Sequence, residues 1–430
     1  MRFSIFFIIV FFLLFQSYSQ EDIEKVIFPD IDNERFVGKD FPVVFDLRNT
    51  DSLSPVKTQP NGGCWASAAT VSVESIWRTY GFGNFELSDI NLKLYHGFVP
   101  ERSTNGNHYM ATAYFSRRSG PLLKNPETDS LYHKEPATAA YITDARYLPN
   151  DPHLIKKTIM DYGAVYSMMY YKKEILDTIT NTYYTDVEKI NHAVNLVGWN
   201  DTLITQGRRG AWIAQNSLGE KFGEKGFFYI SYEDENILNY NAIWNKWIPY
   251  EPNSKIYYYD TLGSFYSYGF RDTICYGLVK YTAECDLKIT KTGTFVNFPN
   301  TRIYAEIYRE FNDSSKTLFG KLSENNEYHC KYAGYYTLDL DVPVQVAKGK
   351  DFFIMMRYIT PNDTLPLPIE TFIDGYSEPH VTSGKCWVNP NYEKWQNTWY
   401  ECGTASEWKT LKFDLCIKAY CIKINVTDQN

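Results

Sequence analysis

The pattern of apolar residues changes near residue 250, and this change limits the folds open to the chain. Before it, runs with helical spacing are mixed with strand-like runs, whereas after about Tyr257 the periodic runs are short and strand-like. Helices confined to one part of a chain and short strands to another are typical of an α+β region joined to an all-β domain. We therefore expect an α+β domain over residues 42–247 and a β-sandwich over residues 255–428.

Two runs of the first region have helical periodicity and helical stop signals. Apolar residues recur at spacings of three or four from Cys64 to Tyr80, and Gly81 stands just past the last turn. A second helix is predicted over residues 152–162, with proline in its first turn and Gly163 at its end. Strands are predicted at residues 193–199, 211–214 and 226–232, and in the second region at 287–289, 302–308 and 352–356.

The amino terminus has the composition of a secretory signal peptide. One arginine precedes an apolar run from Ile5 to Phe15, and small residues follow at positions 17–19. This run is shorter than the about 20 apolar residues that span a bilayer. We expect residues 1–19 to be a signal peptide, residues 20–41 to be a short leader, and the mature protein to be secreted or extracytoplasmic without a transmembrane segment.

Composition and charge exclude two broad classes of protein. The chain is 44% hydrophobic and 17% aromatic, which is enough apolar material for packed cores and argues against global disorder. Its formal net charge is −8, and it has no basic runs. An acidic chain of this kind is not expected to bind nucleic acid.

Cys64 is separated from the other seven cysteines, which all lie beyond residue 270. Cysteines of an exported protein tend to pair. Cys386 with Cys402, and Cys416 or Cys421 with an earlier cysteine, are the pairs that we consider, although the sequence leaves the connectivity open. Cys64 follows a Gly-Gly turn and begins a predicted helix, where the helix N-terminus lowers the pKa of a thiol. We therefore predict that Cys64 is a nucleophile.

His192 is the histidine whose context is most typical of catalysis. It precedes a predicted strand, and a catalytic thiol needs an imidazole brought from elsewhere in the fold together with a third group that orients it. Asn216, at the end of the next predicted strand, is a candidate for that group. Its amide can accept a hydrogen bond from one imidazole N–H while the other ring nitrogen faces the sulfur.

Several short motifs of the first region stand in one order. Together they resemble the papain family of cysteine peptidases from Phe45 to Phe227, and the 128 positions from Cys64 to His192 are close to the about 130–150 of that family. The resemblance implies a papain-like fold of two subdomains, one helical and one β-barrel-like. The motifs are Phe45–Arg48, Pro55–Gln59, Gly62–Ala66, Asn191–Val194, Asn216–Ser217 and Gly223–Phe227.

The resemblance implies a catalytic role for four residues. Cys64 would be the nucleophile, His192 the general base and acid, and Asn216 the residue that orients His192. The side chain of Gln59 and the backbone N–H of Cys64 would form an oxyanion hole, which stabilises the tetrahedral intermediate.

Gly62 and Gly106 would line the substrate cleft, and around them the sequence departs from the family pattern. Asn61 stands where the family usually has a cysteine, so the local disulfide is absent, and the spacing from glutamine to cysteine is one residue shorter than usual. Asn107 replaces the second glycine of a Gly-Gly pair. Leu218 replaces the tryptophan that shields the Asn–His hydrogen bond from water, which predicts a wetter and weaker bond.

The second region resembles the lectin-like domain that follows some papain-family peptidases, mostly microbial ones. The segments Tyr258–Gly263 and Gly106–Tyr114 support that subgroup. The resemblance implies a carbohydrate or surface ligand for the C-terminal domain.

These observations lead to three hypotheses. The first is a secreted cysteine peptidase, an endopeptidase by default, that hydrolyses protein or peptide substrates through an acyl-enzyme and needs no metal or organic cofactor. The second is a catalytically weak or inactive papain-like scaffold that acts as a surface or carbohydrate-binding protein. The third is transamidation, in which an amine rather than water intercepts the acyl-enzyme.

Overall fold

The computed structural model describes residues 31–32, 41–126, 129, 138–361, 363–404 and 411–424. The predicted signal peptide, residues 1–19, lies outside this part of the chain. Of the predicted leader the structure describes Ile31, Asp32 and Phe41. Among the described residues, no helix is long and apolar enough to cross a bilayer.

The predicted helix at Cys64 is confirmed. It begins at that residue, with Gly63 as its N-cap, and is buried along nearly its whole length. Gly81 follows the C-cap with a φ of +68°, a left-handed conformation that glycine adopts without strain. We number the α-helices of the described residues α1 (Cys64–Thr79), α2 (Asp89–Leu94), α3 (His108–Ser116) and α4 (Pro152–Tyr162).

The other helices start where short polar side chains cap them. The Asp151 carboxylate accepts from the first backbone N–H groups of α4, which is the second predicted helix, and Gly163 ends it with a φ of +112°. The Ser88 and Asn107 side chains cap α2 and α3 in the same way. Short 3-10 helices lie at Leu47–Asn49, Pro100–Thr104 and Lys173–Ile175.

The strands of the first region include all three that the sequence predicts. The longest, β5, begins at His192, and β6 ends at Gln215, directly before Asn216. The strands are β1 (Val44–Asp46), β2 (Ala140–Leu148), β3 (Val165–Met169), β4 (Thr182–Tyr183), β5 (His192–Thr205), β6 (Arg208–Gln215), β7 (Phe227–Ser231) and β8 (Asn241–Pro249).

The second region is built from strands, as the sequence predicts, and no α-helix of the described residues lies beyond Tyr162. Its strands are β9 (Ser254–Tyr257), β10 (Tyr266–Tyr268), β11 (Ile274–Thr282), β12 (Leu287–Val296), β13 (Thr301–Asn312), β14 (Thr317–Glu324), β15 (Tyr328–Cys330), β16 (Ala333–Val346), β17 (Asp351–Ile359), β18 (Leu367–Glu370), β19 (Cys386–Asn389), β20 (Tyr400–Cys402), β21 (Asp414–Leu415) and β22 (Ile417–Lys423).

One sheet runs through both regions. Its order is β4-β7-β6-β5-β3-β8-β2-β16-β12-β22-β9, with β1 paired to β5. The two regions meet where β2 pairs with β16, with Ala145 opposite Tyr335. A seven-stranded sheet, β14-β13-β17-β11-β19-β20 with β15 beside β13, and a three-stranded sheet, β10-β18-β21, complete the second region. The fold is therefore α+β with a C-terminal all-β domain, and the two parts share backbone pairing.

All eight cysteines are free thiols, so the expected disulfides are not formed. Cys386 and Cys402 do lie opposite each other on β19 and β20. Both side chains are fully buried in the core of the second region, together with Cys275. In that core these thiols pack as small apolar side chains.

Candidate active site

Cys64 lies at the N-terminus of α1, half-buried, behind a tight turn. The turn closes through the Gly63 backbone N–H, which donates to the Pro60 carbonyl over 2.7 Å. Gly62 is needed for two reasons. Its φ is +66°, and an added Cβ would lie 2.7 Å from the Thr104 side chain. The sequence thus folds locally so that the thiol stands at the positive end of a buried helix.

The fold brings His192 to the same place. Burial raises the pKa of the Cys64 thiol, and the Ala193 backbone N–H, which lies within hydrogen-bonding reach of the sulfur, acts in the opposite direction. His192 is 7% exposed, and its pKa is lowered mainly by burial. The backbone donor of Ala193, the residue after His192, therefore lies beside the nucleophile.

Asn216 holds the His192 ring. Its Oδ1 lies 2.9 Å from His192 Nε2, and this hydrogen bond raises the pKa of the imidazole against the effect of burial. The same Oδ1 accepts from the Ser217 backbone N–H over 2.8 Å, which sets the orientation of the amide. The Asn216 backbone N–H in turn donates to the Gly226 carbonyl over 2.9 Å. The bond leaves Nδ1, the other ring nitrogen, available to the sulfur.

Gln59 lies beside this pair despite the shortened spacing to Cys64. Its backbone N–H donates to the Ser217 carbonyl, and its Oε1 accepts from the Ser217 hydroxyl, each over 2.7 Å. A bridge between Thr58 and Leu218 extends the pairing. With Oε1 held by Ser217, the Nε2 donor group of Gln59 points away from that serine.

Gly106 packs against the residue that follows the nucleophile. A Cβ added at Gly106 would lie 2.2 Å from the Trp65 indole, which is buried. The indole Nε1 donates to the Ser103 carbonyl over 3.2 Å. Gly62 thus lies in the Cys64 turn, and Gly106 lies on the neighbouring segment, which packs on that turn and on Trp65.

The structure adds a residue that the sequence reasoning missed. The Tyr171 ring lies against His192, with 5.4 Å between centroids and 43° between planes. The Asn191 side chain holds the backbone of Tyr171, because its Oδ1 accepts from the Tyr171 N–H over 2.7 Å and its Nδ2 donates to the Tyr171 carbonyl over 2.9 Å. Leu218, which replaces the shielding tryptophan of the family, is 40% exposed. Aromatic cover of the imidazole therefore comes from the residues after β3, which no local motif indicates.

The arrangement has the groups that nucleophilic catalysis by a thiol requires. It has a sulfur at a helix N-terminus, an oriented imidazole and amide donors beside the sulfur. In the described ranges no group of three or more His, Cys, Asp or Glu side chains is placed to hold a metal ion.

Comparison with known families agrees with this geometry. Residues 41–243 match the sequence profile of a family described as papain family cysteine protease. Residues 256–421 match a second family, described as lectin like domain.

Curated relatives align with the first region. A viral cathepsin of Cydia pomonella granulosis virus is 25% identical over 209 residues, which are 45% of this chain and 59% of the relative. Cysteine proteinase A of Leishmania mexicana is 27% identical over 202 residues, 43% of this chain and 54% of the relative. Cathepsin K of Mus musculus is 26% identical over 215 residues, which are 45% of this chain and 61% of the relative. The chain spans between half and two thirds of the length of these relatives.

Solved structures share the whole fold. The cysteine protease and lectin-like domains of Cwp84, a surface layer associated protein of Clostridium difficile, superpose with a TM-score of 0.75 at 20% identity over 90% of each chain. A second structure of this clostridial cysteine protease, after propeptide cleavage, has a TM-score of 0.76 at 20% identity over 89% of this chain and 99% of the other. Residues 41–243 of the chain thus match the papain family of cysteine proteases, and residues 256–421 match a lectin-like domain.

Proposed function

We propose that this protein is an exported cysteine peptidase that hydrolyses peptide bonds through Cys64, His192 and Asn216. The observation that carries the proposal is the 2.9 Å hydrogen bond between His192 and Asn216 beside a thiol at a helix N-terminus. An endopeptidase is the default, because the sequence shows no insert that would block one end of the proposed cleft. The proposed organisation is a signal peptide at residues 1–19, a short leader at 20–41, a peptidase domain at 42–247 and a lectin-like domain at 255–428.

The reaction begins with transfer of the Cys64 proton to His192. The sulfur attacks the scissile carbonyl carbon, and the carbonyl oxygen becomes an oxyanion that accepts hydrogen bonds from the Gln59 amide and the Cys64 backbone N–H. His192 then protonates the leaving amine, which departs and leaves a thioester. A water molecule, deprotonated by His192, hydrolyses the thioester and restores the thiol. Asn216 favours the imidazolium that forms in both halves of the reaction.

The test is hydrolysis of a peptide library together with labelling by an epoxide that reacts only with activated thiols. Stoichiometric labelling at Cys64 and turnover that is lost in Cys64→Ala support the peptidase. Turnover that persists in Cys64→Ala contradicts it. Mass spectrometry of the products with an added amine separates hydrolysis from transamidation, because an amide product would form only in the latter.

The alternative is a papain-like scaffold that has lost activity and binds a surface or a carbohydrate through its lectin-like domain. The exposed Leu218 and the shortened spacing from Gln59 to Cys64 favour it. Absence of epoxide labelling at Cys64 in the folded protein would support this scaffold. In either case a carbohydrate or surface ligand is proposed for the C-terminal domain.

A further inference from the structure

A loop of the second region contacts the chain beside the active site. We call residues 371–377 the C-terminal loop and residues 98–109 the cleft segment. The Asn107 Nδ2 donates to the Tyr376 hydroxyl over 3.1 Å. The Val99 backbone N–H donates to the Tyr376 carbonyl over 3.3 Å, and the Arg102 Nε donates to the Gly375 carbonyl over 2.8 Å. The Arg102 guanidinium also lies 5.0 Å from the Tyr376 ring centroid.

Aromatic packing reinforces these bonds. The Tyr376 ring lies 5.1 Å from Phe98 and 4.6 Å from Phe265, both in edge-to-face geometry. Phe265, which also belongs to the second region, lies 5.2 Å from Tyr109. Edge-to-face aromatic pairs have a defined geometry and stabilise a contact beyond the area that they bury. The cleft segment is therefore held at both of its ends by the second region.

The opposite side of the cleft segment packs on the residues that flank Cys64. Thr104 lies where a Cβ at Gly62 would be, and Gly106 lies against the Trp65 ring. Both contacts are closer than a side chain of even one carbon would allow. The cleft segment thus lies between the turn that carries the nucleophile and the C-terminal loop. A shift of the C-terminal loop would therefore also move the cleft segment against that turn.

Asn107 connects the two sides. Its Oδ1 accepts from the Met110 backbone N–H over 3.1 Å and caps α3, while its Nδ2 bonds to Tyr376. It also follows Gly106, a position without a side chain, in the proposed cleft wall. The amide therefore ties the start of a buried helix, the cleft wall and the C-terminal loop together.

We propose that Tyr376 is a positioning residue for the substrate cleft, through which the lectin-like domain sets how tightly extended peptides bind. The proposal rests on the proposed function, because it takes Gly62 and Gly106 as the cleft wall. Small reagents that reach only the Cys64 sulfur do not depend on the cleft segment. Peptides that run along the cleft wall depend on the position of the cleft segment.

The first measurement is hydrogen exchange of residues 98–109 in the full chain. Loss of one hydrogen bond corresponds to about a 2- to 10-fold change in a local equilibrium. We expect exchange of the cleft segment to become about tenfold faster in Tyr376→Ala and about threefold faster in Tyr376→Phe, which keeps the ring packing. Phe319→Ala is the matched control, because Phe319 is an exposed aromatic residue of the same domain, on β14. Unchanged exchange in Tyr376→Ala overturns the proposal whether or not the protein is a peptidase.

The second measurement is kinetic. For the library peptide that the wild type cleaves fastest, we expect KM to rise by about the same 2- to 10-fold in the two Tyr376 variants while kcat changes less than twofold. Alkylation of Cys64 by iodoacetamide should keep its wild-type rate. An unchanged KM, or a fall in kcat and in the alkylation rate together, overturns the positioning role. A wild type with neither turnover nor epoxide labelling contradicts the proposed function, and with it the cleft role. Faster exchange in the Tyr376 variants without a change in KM would show that the contact between Tyr376 and the cleft segment is only structural.

Discussion

Lys57 and Glu74 form a buried ion pair behind the proposed active site. The Lys57 Nζ donates to Glu74 Oε1 and to the Leu87 carbonyl, each over 2.7 Å, and their side chains are 2% and 0% exposed. Glu74 Oε1 also accepts from the Leu87 backbone N–H over 2.6 Å, while Oε2 has no hydrogen-bond partner. Lys57 precedes Gln59 by two residues, and its carbonyl accepts from the Gly219 N–H. The pair therefore supports the segment that carries the proposed oxyanion donor.

Lys57→Met should destabilise the protein strongly. The substitution keeps an apolar side chain of similar length but leaves the Glu74 carboxylate buried with one backbone donor, and breaking a buried pair in this way costs about 3–5 kcal/mol. In Lys57→Met with Glu74→Gln the charge is gone and the amide oxygen still accepts from the Leu87 N–H. We expect this double variant to regain most of the lost stability, to within about 1–2 kcal/mol of the wild type.

Urea unfolding followed by tryptophan fluorescence measures these differences. Lys124→Met is the matched control, because Lys124 and Glu86 form a pair at 3.4 Å whose side chains are 39% and 48% exposed. Removing that pair should change the free energy of unfolding by less than about 1 kcal/mol. A Lys57→Met variant within about 1 kcal/mol of the wild type, or a double variant no more stable than the single one, would refute the reasoning.

Three further predictions concern the site itself. Gly106→Ala should lower the free energy of unfolding by about 1–3 kcal/mol, measured in urea, because its Cβ would overlap the buried Trp65 indole. In Asn216→Ala the alkaline limb of the pH profile of kcat/KM should move to lower pH: the Oδ1 bond raises the pKa of His192, so its loss lets the imidazolium deprotonate earlier. Tyr171→Ala should reduce kcat about tenfold in steady-state assays, whereas Tyr171→Phe, which keeps the ring over His192, should stay near the wild type.

Each of these has a result that would contradict it. Wild-type stability of Gly106→Ala would mean that the indole moves aside without cost. An alkaline limb that stays in place in Asn216→Ala would mean that the amide does not act on the imidazole. Equal loss of kcat in Tyr171→Ala and Tyr171→Phe would assign the effect to the hydroxyl rather than to cover by the ring.

The local elements could be predicted because their signals are local. The helix at Cys64 follows from apolar spacing and from the glycines at its ends, and α4 follows from Pro152 and Gly163. The all-β second region follows from its short strand-like runs. The order of the six first-region motifs also identified residues that the structure brings together, such as Gln59, His192 and Asn216.

What could not be predicted depends on contacts between residues far apart in sequence. The expected disulfides illustrate this, because spacing alone does not say that Cys386, Cys402 and Cys275 share one apolar core. Tyr171 illustrates it as well. Tyr171 lies two residues after Met169, and Met169 lies opposite His192 in the pairing of β3 with β5. The register of two paired strands depends on both strands, so the sequence of one segment does not determine it.

The sequence by itself thus determined the helix that presents Cys64 and the change to an all-β second region, since both rest on local patterns of apolar residues. The order of the motifs along the chain identified the proposed partners of Cys64. The tertiary structure decided that β2 and β16 join both regions in one sheet and that Tyr376 of the second region bonds to Asn107 beside the cleft. Those arrangements arise from packing and strand pairing between residues up to 269 positions apart. No periodicity or turn signal of a single segment contains that information.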